Sequence, residues 1–267
     1  MKPIILVKLG GSLLTDKTTP YRERPDIIAR VSREIKEVRE KSDFDLILGH
    51  GSGSYAHTPA VKYQTMRGVI NKESLHGFCV VQDAASRLNR ILVKSLIDAG
   101  VEAISLQPSA SFIMTQGKIS EAFLSPLVLA LEKGILPVVY GDALFDRYQG
   151  HSIVSTEDIL LYLSKALLST GKFEVKQTFL FGDYEGVYDG NQTIIPEITQ
   201  KSFPHFSSSL FSPGYADATG GMRKKVEVML DLAEKGNTVH ILSGVRPGSI
   251  REALLGTRIS GTLIRRA

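Results

Sequence analysis

Cysteine is nearly absent: Cys79 stands alone in the chain. A disulfide within the chain is impossible, and paired-cysteine metal or redox motifs are excluded with it. A reducing, cytoplasmic setting is the simplest expectation. Cys79 lies in the apolar helical context "HGFCVVQ" and is expected as a small core residue rather than a nucleophile. Long hydrophobic runs are missing too. Nothing approaches the roughly 18 apolar residues of a membrane span, and the apolar start of "MKPIILVKLGG" gives way to glycines too soon for a secretory signal. No run of five or six basic residues occurs; "RKK" at 223–225 is the densest cluster apart from the terminal "RR". A net charge of +4 and a pI near 9.0 suit anionic small molecules and give no support for a nucleic-acid partner. C-x-x-C, H-E-x-x-H and G-x-S-x-G are absent, and the histidines lack ligand spacing, so zinc and hydrolase chemistry are unsupported.

What is present is a chain of 267 residues, 43% hydrophobic, with its 22% of charged residues spread evenly. That is enough for one large α/β domain or two intimate lobes. Short apolar runs predict strands at 4–9, 45–49, 102–107, 136–142, 177–183, 238–244 and 261–266. Amphipathic stretches between them predict helices at 26–41, 73–100 (one or two), 124–134, 155–171, 220–236 and 249–256, several closing on glycine. The helix from 155 opens with Ser155 or Thr156 followed by acids, a capping pattern. This βαβα order predicts a three-layer αβα sandwich around a mostly parallel sheet. A soft boundary near 175 would separate an N-terminal lobe (1–175) from a C-terminal lobe (176–267). Ligands in such sheets sit beyond the carboxyl ends of the strands, and the glycine-rich turns fall there.

Four of those turns carry candidate chemistry. In "KLGGS" a buried-strand Lys8 would need a partner, and Gly10 and Gly11 would let backbone N–H groups approach phosphate oxygens; a solvent-facing lysine before an ordinary turn is the plainer alternative. In "GHGSGSYAH", Gly51, Ser52, Gly53 and Ser54 lie between a strand and a helix, where free N–H groups bind anions. His50 reads as a satisfied strand-end histidine, and His57 as either a surface histidine or one projecting at the anion. "FGDYEGVYD" could hold a nucleotide, with Asp183 near the phosphates and Tyr188 stacking, or be a turn with a capping aspartate. "ADATGGMRKK" opens a helix at Thr219-Gly220-Gly221 with Lys225 one turn in, which is an anion site or a capped helix with a solvated basic face.

Together and in this order, these motifs resemble the amino acid kinase superfamily over nearly the whole chain. "ILVKLGGSLLTDK", "TPYRERPDIIARVSREI" and a glycine-rich turn with a histidine at its far end look most like the isopentenyl phosphate kinase family; "PVVYGDALFD" and "FLFGDYEGVYD" match later blocks. That family's turn usually reads H-G-G-G-S-F-G-H. Here Ser52 replaces the middle glycine, Tyr55 the phenylalanine and Ala56 the last glycine. Ser52 would be strained if its position required positive φ.

The resemblance implies ATP-dependent phosphorylation of isopentenyl phosphate to the diphosphate, with Mg²⁺ bridging phosphates and a homodimer. It implies an acceptor-binding N-terminal lobe and a nucleotide-binding C-terminal lobe. Lys8 and Lys17 would contact the transferring phosphoryl, and His57 the acceptor phosphate. Gly10, Gly11, Ser12, Asp183, Tyr188, Gly221 and Lys225 would hold ATP. Gly53 would lie between donor and acceptor, with Ser52 and Gly141 on the acceptor side. Leu75, Phe78, Cys79 and Val81 could wall the acceptor's apolar tail, although core packing explains most of them. A fosfomycin-kinase-like enzyme, or a non-catalytic nucleotide- or oxyanion-binding member of the fold, stays open at this point.

Overall fold

The computed structural model describes residues 1–208, 210 and 221–267. The first half contains β1 (Lys2–Leu9), α1 (Gly11–Leu14), α2 (Pro25–Lys41), β2 (Asp45–His50), α3 (Gly53–Lys62), α4 (Ser74–Asp98), β3 (Ala103–Ser105), β4 (Phe112–Thr115), β5 (Lys118–Ala122) and α5 (Ser125–Glu132). The second half adds β6 (Leu136–Tyr140), β7 (Asp142–Asp146), β8 (Gly150–Val154), α6 (Thr156–Ser169), β9 (Phe173–Gly182), β10 (Glu197–Ile198), α7 (Phe203–Phe206), α8 (Gly221–Ala233), β11 (Thr238–Ser243), α9 (Ser249–Leu254) and β12 (Thr262–Ile264).

Eight strands form the main sheet in the order β10-β12-β11-β9-β1-β2-β6-β3. Every pairing is parallel except β11 with β12. The alternation of β1 divides its side chains between two layers. Ile5, Val7 and Leu9 join the core under α2, α4 and α9. Ile4 and Leu6 join the core under α5 and α6, and α8 closes the same layered arrangement over β9, β11 and β12. Helices therefore cover both faces, as a buried parallel sheet requires. Lys8 shares the face of Ile4 and Leu6, the face of α6.

Residue 175, the soft boundary expected from sequence, lies inside β9, which pairs with both β1 and β11. No linker separates the two halves. The expected strand at 136–142 is β6 as far as Tyr140, and Asp142 already starts a strand of a different sheet. β6 ends at Tyr140, Gly141 turns the chain, and β7 enters a four-stranded sheet ordered β5-β4-β7-β8. The long helical region is one helix, α4. Ser155, not Thr156, caps α6, accepting from the Asp158 N–H at 3.0 Å. Cys79 is exposed rather than in the core, and Leu75 is exposed as well. Among the described residues no helix is long and apolar enough to cross a membrane.

Candidate active site

The carboxyl ends of β1, β2, β6 and β9 meet through their glycines. Gly10 N–H donates to Phe181 O at 2.6 Å, Gly51 N–H to Leu9 O at 3.0 Å, and Gly141 N–H to His50 O at 3.0 Å. The two glycine-rich turns touch. A Cβ on Gly11 would lie 2.3 Å from Gly53 N, and one on Gly53 would lie 2.1 Å from Thr15 Oγ1 and 2.7 Å from Gly11 O. Gly53 also has φ +51, so it needs glycine for both conformation and space. Ser52 sits at φ −81, ψ −7, an ordinary region for any residue. The strain considered for a serine there does not arise, because positive φ belongs to the next residue. Its hydroxyl donates to Gly141 O at 2.6 Å, tying the turn to the point where the chain changes sheets.

Lys8 is buried, and its Nζ lies 2.9 Å from Glu157 Oε1. Glu157 is the second residue of α6, placed there by the Ser155 cap. Burial pushes the Glu157 carboxyl up, but the Lys8 and Lys225 charges outweigh it and hold it below its ordinary value. The carboxylate thus sits under the influence of two cations. A sequence reading sees Glu157 only as an acid favoured by a helix N-terminus; the signal that could have found it is a buried lysine in need of a counter-ion.

The residues expected to hold the nucleotide also converge. Ser12 Oγ donates to Asp183 Oδ1 at 2.6 Å, and Lys17 Nζ lies 3.2 Å from Asp183 Oδ2. Burial raises the Asp183 carboxyl; the Ser12 hydroxyl and Lys17 bring it below its ordinary value. Lys225 Nζ donates to Tyr184 OH at 3.3 Å. Gly182 makes room for that ring, since a Cβ there would lie 2.6 Å from Tyr184 Cζ. Tyr184, not singled out in the sequence, is thereby the aromatic that meets Lys225. Tyr188 pairs with Ile194 in an isolated bridge and receives the Glu185 N–H at 3.4 Å. Gly221 opens α8; Thr219 and Gly220 lie outside the described residues.

His57, expected at the acceptor, is half-buried on α3, one turn beyond Gly53. Beside it, Ala56, Ala60, Phe78, Val81, Ala85, Tyr140 and Ala143 form a separate apolar cluster. Phe78 and Val81 are thus packed in a core cluster, while Leu75 and Cys79 are exposed. Asp142, next to Gly141, is pushed up to about 6 by burial, against the N–H groups of Ser109 and Ala143.

His50 is the structural member of the histidine pair. Fully buried, it sets Nδ1 3.1 Å from Gly51 O and Nε2 3.1 Å from Asn89 Nδ2. Those partners fix the neutral tautomer: Nδ1–H donates and Nε2 accepts. Burial lowers its pKa to about 4, with Lys8 acting in the same direction and the Gly51 carbonyl opposing. An unfolded histidine takes up a proton below about pH 6.5, while folded His50 stays neutral down to about 4. Folded stability should therefore fall as pH drops through this window. His151 and His240 are lowered by burial too. Urea midpoints from pH 7 to 4 should show the fall in the wild type and a shallower one in His50→Gln; equal slopes would contradict the assignment.

A buried lysine–carboxylate pair beside two touching glycine turns, at the carboxyl edge of a parallel sheet, is the arrangement expected of an α/β kinase. The amino acid kinase family pattern matches residues 3–243, and the chain belongs to that family. Within it, the chain is 34% identical to the isopentenyl phosphate kinase of Methanothermobacter thermautotrophicus, across 98% of both chains. It is 30% identical to the isopentenyl phosphate kinase of Methanocaldococcus jannaschii, again across 98% of both. A solved isopentenyl phosphate kinase superposes with a TM-score of 0.80 at 30% identity, covering 98% of this chain and all of the other.

Proposed function

We propose that the chain transfers the γ-phosphoryl group of ATP to isopentenyl phosphate, giving isopentenyl diphosphate. The observation that carries this reading is the contact between the two glycine turns: Gly11, on the donor side, abuts Gly53, one turn before His57. The apolar cluster packed against that helix is the hydrocarbon surface within reach of a short acceptor tail on this side. The 1–175 half would hold the acceptor and the 176–267 half the nucleotide. Mg²⁺ would enter with ATP, coordinated by its phosphate oxygens and water. A cytoplasmic homodimer belongs to the same reading.

The chemistry follows from charge. Phosphoryl transfer depends on positioning and electrostatic stabilisation more than on covalent catalysis. A phosphate monoester has its second pKa near 6, so the acceptor is already a nucleophile at neutral pH and needs no general base. Lys8, paired with Glu157, and Lys17, anchored by Asp183, would face the transferring group. Lys225 would hold the nucleotide phosphates. His57 would bind the acceptor phosphate through a hydrogen bond strengthened by charge.

The test is a coupled assay over isopentenyl phosphate, dimethylallyl phosphate, fosfomycin, N-acetylglutamate and UMP. Turnover on the isoprenoid phosphates is expected; turnover only on the amino acid or UMP would sink the reading. His57→Ala should lose about 10²-fold or more in kcat/KM for isopentenyl phosphate while ATP binding, read by calorimetry, persists. Unchanged turnover would remove His57 from the site.

A further inference from the structure

The segment after α1 is a small hairpin. Thr15 and Glu23 form an antiparallel bridge, Asp16 N–H donates to Arg22 O at 2.9 Å, and Arg24 N–H donates to Leu14 O at 2.8 Å. Lys17 rides on the tip, which Asp16 braces by accepting from Thr18 N–H at 2.8 Å and Thr18 Oγ1 at 2.7 Å. The stem is fastened to α3 at two neighbouring residues. Thr15 Oγ1 accepts from Ser54 N–H at 3.0 Å, and the Tyr55 hydroxyl donates to Glu23 Oε2 at 2.6 Å. Cross-strand partners of the stem therefore meet adjacent residues of the helix that carries His57.

Tyr55 is itself tightly held. It is 4% exposed, meets the Tyr21 ring edge-on at 5.8 Å, and lies with Tyr21 beneath the Arg87 guanidinium, 5.7 and 5.1 Å from the two ring centres. Tyr21 adopts φ +56, a conformation that a bulky residue keeps only where its surroundings enforce it. The charge states match the geometry. Burial and the Glu23 bond push the Tyr55 phenol up to about 12, and the Tyr55 hydroxyl is the main cause that keeps Glu23 below its ordinary value. A neutral donor faces a carboxylate, the stronger kind of hydrogen bond. The motif that this turn resembles has phenylalanine at the position of Tyr55, which could fill the ring's space and could not make the bond.

We infer that Tyr55 is a positioning residue: through Glu23 it locks the Lys17 hairpin onto the acceptor helix, so that the cation on the donor side keeps register with the acceptor site. The kinetic part of this inference rests on the phosphoryl-transfer reading above; the structural part does not. Tyr55→Phe preserves the ring and removes only the hydroxyl. Amide exchange over residues 16–24 should quicken by about tenfold or more, the worth of one hydrogen bond to a charged group, and kcat should fall by a similar factor with KM for the acceptor little changed. Glu23→Gln, which can still accept the hydroxyl's proton, should show a smaller effect on both. In a Lys17→Met background, Tyr55→Phe should lower kcat no further, because its effect is exerted through that lysine.

Unchanged exchange over 16–24 in Tyr55→Phe would overturn the inference, whatever acceptor the enzyme uses. An equal fall in kcat with and without Lys17 would overturn its link to the lysine. The kinetic arm uses whichever acceptor of the panel turns over. Failure on isoprenoid phosphates would therefore count against the proposed function alone, and failure of the exchange arm against the hairpin lock alone.

Discussion

Lys8→Met should cut turnover by about 10²–10³-fold and weaken the fold at once. The two losses have one origin, since Lys8 is both the buried partner of Glu157 and the cation proposed to face the transferring phosphoryl. Removing a preorganised charge from a phosphoryl or oxyanion site lowers kcat by about 10²–10³-fold. Removing one member of a buried ion pair costs about 3–5 kcal/mol, because the other charge stays in low dielectric. Lys225 still acts on Glu157, which places the expected loss at the lower end of that range. With Lys8 gone, burial dominates and drives the Glu157 carboxyl upward. The folded state then binds a proton more readily than the unfolded state, so the penalty is greatest above the ordinary glutamate range and shrinks as pH falls. The wild type has the opposite sign: its lowered Glu157 contributes stability above that range and loses it below. Urea melts at pH 7 and pH 5, beside a coupled assay at saturating ATP, check both losses. Lys8→Met/Glu157→Gln should recover much of the stability and none of the activity. A single variant that melts at the wild-type midpoint would show that the pair does not hold this site together.

The legible part of this molecule was its main sheet, apart from the two-residue edge strand β10. β1, β2, β6 and the second half of β9 are buried on both faces and so appear as short apolar runs, such as "IILVKL" and "DLILG". The helices between them announced themselves by a one-sided apolar stripe, clearest in α2. The small sheet was not legible. Its strands have four or five residues, and β5 has no fully buried position, so no periodicity survives. Gly141 looked like a strand end because a change of sheet and a turn look alike in sequence. Cys79 misled for a related reason: "HGFCVVQ" is apolar on average, but the register of α4 turns Phe78 inward and Cys79 outward. At the site, the glycines and lysines were visible through their resemblance to a known pattern. Glu157, Tyr184 and the Tyr55–Glu23 bond were not, because each gains its meaning from a partner far away in the chain.

Gly53→Ala should be the most damaging of the small substitutions, and Ser52→Gly, one residue earlier, among the mildest. Gly53 holds φ +51, where an L side chain costs about 1–2 kcal/mol before any contact is counted. Its new Cβ would then meet Thr15 Oγ1 at 2.1 Å and Gly11 O at 2.7 Å. The threonine could rotate, at the loss of its bonds to Gly11 O and Ser54 N–H. The Gly11 carbonyl is backbone and can yield only if the two turns separate. Separation would pull the donor side from the acceptor side, and a misplacement of about 1 Å in a positioned reaction costs on the order of 10²-fold in rate. Ser52 sits in ordinary helical space, so glycine there loses only the bond from its hydroxyl to Gly141 O, worth about 1 kcal/mol. Thermal melts and kcat/KM for both variants separate the two cases. A Gly53→Ala enzyme as active as Ser52→Gly would mean that the turns need not touch for phosphoryl transfer, and would remove the contact on which the functional reading stands.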